Sequence, residues 1–181
     1  MVHARRIGIV LFAGALALSN AACKSDRSRV TVQNEETPQP SHLLSTVKMN
    51  DPAAASQLVS GFYAVENNAW RWTAGKFSVL LRTPPGAQNG ATVTLSFTIP
   101  DVIIQKLGKI KVTAAVGGME LKSEEYDTAG PYMLTADMPA GPQLKADSIT
   151  VDFTVDKTMR PDGGDRRDLA IVANSVSIAS K

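Results

Sequence analysis

Cysteine is almost missing from this chain: one residue, Cys23, among 181. No internal disulfide can form. Histidine is nearly as scarce, with only His3 and His42. From Ala53 to Lys181 there is neither, so that stretch cannot hold a Ser-His-Asp triad, a Cys-His pair or a His-ligated zinc. Long apolar runs are also lacking. Ile7–Leu18 is 12 residues, against about 20 for a helix that crosses a bilayer. No charge of one sign predominates. The formal charge is +2, and Arg5 and Arg6 account for both units. Between Ala53 and Lys181 there are 13 basic and 13 acidic residues, well mixed. Bulk charge therefore gives no reason to expect nucleic acid as a partner.

What is present begins with order rather than composition. Arg5-Arg6, the short apolar run and Ser19-Asn20-Ala21-Ala22 follow one another as the positive, apolar and small-residue parts of an export signal. Ala21-Ala22-Cys23 resembles the end of the lipobox of bacterial lipoproteins, with Asn20 where that family usually has Leu. The resemblance implies acylation of Cys23 and anchoring of the exported protein in a cell membrane or outer membrane. Two or more acyl chains anchor stably where one does not. Lys24 follows the cysteine where Asp would favour the inner membrane, which points to the outer one. The other reading is ordinary cleavage at Ser19-Asn20-Ala21, leaving Cys23 a free thiol.

Three segments are expected: a signal peptide over 1–22, an anchor cysteine and disordered tether over 23–52, and one domain over 53–181. The tether is polar, holds Thr37-Pro38-Gln39-Pro40 and has no period of 2 or 3.6. The domain is all-β. Val93, Leu95, Phe97 and Ile99 alternate with threonine and serine until Pro100, and Ile149, Val151, Phe153 and Val155 alternate in the same way. Further strands are expected at Leu58–Val65, Trp70–Thr73, Phe77–Arg82, Tyr132–Asp137 and Leu169–Ile178, with turn signals between them. No helical period is visible. About eight short strands predict an antiparallel β-sandwich, jelly-roll-like or immunoglobulin-like.

Two local geometries follow from the residues. Gly117-Gly118 suits a type I′ turn, in which both central residues have positive φ. A two-residue loop would pair Val116 with Met119, Ala115 with Glu120, Ala114 with Leu121, Thr113 with Lys122 and Lys111 with Glu124. In the last strand, Leu169, Ile171 and Ala173 share one parity, while Val176 and Ile178 share the other. A β-bulge near Asn174-Ser175 would return both sets to the core; burial on both faces is the alternative.

Gly61-Phe-Tyr-Ala-Val-Glu66 with Arg71-Trp-Thr73, and Asp165-Arg-Arg-Asp-Leu-Ala-Ile171, resemble the opening and closing segments of a β-sandwich domain found in bacterial glycosyltransferases and envelope proteins. Asp168 stands where Glu is usual and Ala170 where Gly is usual. The resemblance implies a non-catalytic module of polysaccharide or cell-surface systems. It carries over no functional residues.

The chemistry of those residues supports two readings. Trp70 and Trp72 lie two apart, so on a strand they face one way and Arg71 the other. They could form a stacking platform for sugar rings, with Tyr63, Glu66 and Arg71 supplying hydrogen bonds. Alternatively Trp72 fills the core, Trp70 packs at its edge, and Arg71 makes an ion pair with Asp168 or Glu66 that ties the two segments together. Alternate-residue aromatics are more often core than ligand site, which favours the second. The Pro161–Asp168 loop has carboxylates that could hold Ca²⁺, yet Arg166 and Arg167 compete for them, and a glycine-rich turn explains it more simply. No spacing singles out the carboxylate pair of a glycosidase. The expectation is a cell-envelope lipoprotein whose sandwich binds without catalysis, with no cofactor or metal and with glycan as the candidate ligand. A structural or assembly subunit that contacts another envelope protein is the alternative.

Overall fold

The β-branched alternation places nine strands in the computed structural model, which describes residues 43–161 and 163–181. The export signal, Cys23 and the tether as far as residue 42 lie outside the described residues. In order the elements are β1 (Thr46–Lys48), β2 (Leu58–Glu66), β3 (Trp70–Arg82), β4 (Ala91–Ile99), α1 (Asp101–Leu107), β5 (Ile110–Val116), β6 (Met119–Tyr126), β7 (Gly130–Met138), β8 (Ser148–Val155) and β9 (Val172–Ser180). All pairings between strands are antiparallel, and the path β6-β5-β8-β3-β9-β4-β7 curls into a sandwich. The path's two ends approach each other: the rings of Tyr126 on β6 and Tyr132 on β7 are 4.6 Å apart.

β3 joins the layers. Lys76–Arg82 pair with Thr154–Ser148 of β8, whereas Arg71 and Trp72 pair with Ala173 and Val172 of β9. The strand changes partners at Thr73, whose amide donates to the Ile171 carbonyl (2.9 Å) and whose carbonyl accepts from the Ala170 amide (2.9 Å). Inside, every odd residue of β4 from Ala91 to Ile99 is buried. The Phe77 and Phe153 rings stack at 5.0 Å, with Phe62 edge-on to Phe77 at 5.3 Å. Phe77 and Phe153, both fully buried, each contribute about 2–3 kcal/mol.

Four expectations need correction or completion. The domain begins before residue 53. Val47 and Met49 are fully buried, and β1 pairs with β9. The buried Gln57 amide holds Leu44, accepting from its N–H (2.9 Å) and donating to its carbonyl (3.0 Å). Three residues are too few to show a period of 2. Second, α1 follows Pro100 and ends at Gly108, which has φ 68°; two turns are likewise too short to show a period of 3.6. Third, the hairpin starts as expected, with Val116 opposite Met119, Ala115 opposite Glu120, and φ of 56° and 82° at Gly117 and Gly118. Then it shifts: Ala114 pairs with Lys122, Lys111 with Glu125 and Ile110 with Tyr126. The shift lets Tyr126 join Ile110 in the core and places Glu125 within 2.6 Å of Lys109. Fourth, the sheet-to-sheet crossing merges the two expected strands Trp70–Thr73 and Phe77–Arg82 into one.

The bulge in β9 forms where its phase change places it. Ser96 of β4 opposes Ser175, and Phe97 opposes Ala173, so Asn174 is the extra residue. Ala173, Val176 and Ile178 are all buried as a result.

Candidate functional site

The register of β3 decides what surrounds the tryptophans. Glu66 and Trp70 are opposite each other across the β2–β3 hairpin, whose turn uses Asn67 (φ 49°) and Asn68 (φ 53°). Asparagine tolerates this left-handed conformation better than other non-glycine residues. Trp70 and Trp72 share one face of β3, and beyond them β9 brings Val172 and Asn174, then β4 brings Thr98. Together with Pro100 and Glu66 these residues line a groove of about 310 Å³. Both indoles are half-buried, and Trp72 packs against the core.

The groove therefore has an aromatic wall and polar groups of three kinds. Glu66 offers a carboxylate, Thr98 a hydroxyl and Asn174 an amide. The Asn174 amide lies 3.5 Å from the Thr98 hydroxyl, at the outer limit of a hydrogen bond, so its donor and acceptor capacity is largely unspent. Asn174 was not among the sequence candidates. The phase change that announces its bulge was visible, however, and bulges often re-aim a side chain at a site.

Of the other three candidates, Glu66 lies in the groove, whereas Arg71 and Tyr63 do not line it. Arg71 makes no ion pair with Asp168 or Glu66. Its Nε donates to the Met49 carbonyl (2.8 Å) and its Nη1 to the Tyr63 carbonyl (2.9 Å). It binds β1, β2 and β3 together on the face away from the tryptophans. Tyr63 is outside the groove. Its hydroxyl donates to the Asp168 carbonyl (2.9 Å), and the Arg167 guanidinium lies 5.3 Å from its ring centroid. Glu66 lines the groove and is also structural: Arg167 Nη1 donates to its Oε1 at 2.7 Å.

An ion pair between the opening and closing segments thus exists, but Arg167 makes it with Glu66. Arg167 also grips Asp165, with Nη2 donating to Oδ2 at 2.8 Å and Nε to Oδ1 at 3.0 Å. These hydrogen bonds pull the Asp165 carboxyl down to about 2. Asp165, and Glu66 after it, hold the Arg167 guanidinium well above its ordinary value. The arrangement gives the Asp165 carboxylate to the Arg167 guanidinium. No group of three metal-ligating side chains occurs among the described residues.

A larger concavity of about 570 Å³ lies elsewhere, lined by Arg82, Thr83, Pro84, Lys145 and Asp147 among others. None of its lining residues is aromatic. The tryptophan groove has one lining carboxylate, whereas glycoside hydrolysis generally uses two flanking the scissile bond.

No protein-family model matches the chain, and no curated protein matches it by sequence. Solved structures with a similar chain path include a 4-O-methyl-α-glucuronidase of family GH115 with specificity for decorated arabinogalactans. It is 10% identical with a TM-score of 0.49; the match covers 77% of this chain and spans only 18% of the glucuronidase. The CBM36-1 domain of a multidomain xylanase from the hindgut metagenome of Trinervitermes trinervoides is 15% identical with a TM-score of 0.44, over 75% of this chain and 96% of that one. A family 35 carbohydrate-binding module from Clostridium thermocellum is 13% identical with a TM-score of 0.41, over 75% and 98%.

Proposed function

We propose that this protein is a non-catalytic carbohydrate-binding module held at the cell envelope. The groove carries the reading. Half-buried indoles present flat, polarisable faces to the C–H side of a sugar ring. Glu66, Thr98 and Asn174 provide a carboxylate acceptor and two groups that both donate and accept, which is what ring hydroxyls require. Carbohydrate-binding modules are among the structures of similar chain path, but the reading rests on the groove and not on that likeness. The anchoring half of the proposal rests on the export signal and Cys23 alone.

The assembly-subunit reading retains one support: Val59 and Val65 on β2 are exposed, and β2 pairs only with β3. Binding of the full chain to insoluble glycans and to soluble oligosaccharides, followed by titration calorimetry, separates the two. Saturable glycan binding lost in Trp70→Ala supports the module. Absence of any glycan binding, with a stable protein partner recovered instead, overturns it.

A further inference from the structure

We infer that the groove selects neutral glycan chains and discriminates against those bearing uronate, sulfate or phosphate groups; this rests on the carbohydrate reading above. The charge at the groove supports the inference. Of its lining residues only Glu66 is charged. Arg167 reaches Glu66 at 2.7 Å, but the same guanidinium holds Asp165 at 2.8 Å. Two carboxylates share one cation, so the cluster carries a net charge of −1. Trp70, Trp72, Thr98, Pro100, Val172 and Asn174 add no positive charge. Arg71 lies across β3 from the tryptophans, with Nε directed at the Met49 carbonyl and Nη1 at the Tyr63 carbonyl, away from the groove.

An acidic sugar entering this groove would give up hydration and meet a like charge without a counter-charge. Beside two indoles and a proline, that repulsion is screened less than in open water. A neutral hydroxyl meets the opposite situation. Oε1 of Glu66 is occupied by Arg167, which fixes the carboxylate and leaves Oε2 to accept a charge-assisted hydrogen bond. Asn174, aimed by its bulge, can take a second hydroxyl from the β9 side.

The test uses paired chains of closely similar size that differ chiefly in charge: cellohexaose against its C6-oxidised counterpart, glucosyl-bearing xylohexaose against a glucuronyl-bearing one, and methyl-esterified against free oligogalacturonate. Calorimetry on the full chain should show the neutral member of a bound pair favoured by about tenfold, or 1.4 kcal/mol. The ratio should shrink at about 1 M salt, where the screening length falls to about 3 Å. Glu66→Gln should bring the ratio towards one. Asp165→Asn, which leaves every lining residue in place, should do the same by neutralising the cluster. Equal or tighter binding of the acidic members overturns the inference and leaves the carbohydrate reading standing. If no member of any pair binds, the carbohydrate reading fails and the inference goes with it.

Discussion

Replacing Gly61 by alanine tests the closest approach of backbone to any described glycine. Gly61 has φ +76° and sits where β2 shifts register against β3 between Ser60 and Phe62. A Cβ there would overlap the Lys76 carbonyl oxygen and stand 2.6 Å from Phe77 Cα. Both atoms belong to a strand bonded on its other side to β8, so neither can retreat cheaply. The left-handed conformation alone costs a non-glycine residue about 1–3 kcal/mol. The collision with backbone adds a similar amount, for a total of roughly 4 kcal/mol. A domain of this size loses about 4 °C per kcal/mol, so the melting temperature should fall by about 15 °C. Gly117→Ala is the control: φ is +56° and nothing lies within 4 Å of its Cβ position. It should lose only the strain term, about 1 kcal/mol. Differential scanning calorimetry of both variants decides the matter. Equal losses at the two positions would refute the close-approach argument and leave conformational strain as the whole cause.

Trp70→Ala should weaken glycan binding at least about tenfold in calorimetry while lowering stability by less than about 1.5 kcal/mol, because the ring is half-exposed. Trp72→Ala, which removes a ring packed on the core, should cost about 3 kcal/mol in a denaturant titration. Asp165 titrates at about 2 in the folded state, below its ordinary 3.8. Its contribution to stability is therefore complete above about pH 4 and lost as pH falls through about 2. Asp165→Asn should flatten acid unfolding in that window, and an unchanged acid limb would contradict the Arg167 contact. Cys23→Ser should move the protein from the membrane to the soluble fraction; a wild type that is already soluble, with an unmodified mature N-terminus, would remove the anchor from the proposal.

The fold was legible where burial imposes a period. β4 and β8 alternate strictly because one face of each is core, and the phase change in β9 pointed to a bulge near Asn174-Ser175, which forms at Asn174. What escaped was short or paired at long range. β1 has three residues and draws its burial from β9, about 130 positions later in the chain. The hairpin register failed because local pairing rules place Leu121 opposite Ala114, whereas Tyr126 gains more by joining the core next to Phe97, whose ring is 5.3 Å away edge-on. A tertiary contact at the hairpin's base overrode the turn at its tip.

The site shows the same division. That Trp70 and Trp72 face one way follows from strand geometry, and so does the opposite orientation of Arg71. Which arginine answers which carboxylate does not. Arg71, Arg166 and Arg167 carry equal charge, and the choice among them depends on where β3 and the loop before β9 deliver each guanidinium. β3 directs Arg71 at two carbonyls that β1 and the β2 bulge leave available. The loop before β9 turns Arg167 back over Tyr63 to Glu66. This choice has a functional consequence. Had Arg71 been the partner of Glu66, Asp165 would not share that cation, and Glu66 with its partner would be neutral. Because Arg167 serves two carboxylates, a net negative charge remains beside the tryptophans. The same ion pair that helps join the opening and closing segments of the domain thereby sets the charge beside the groove.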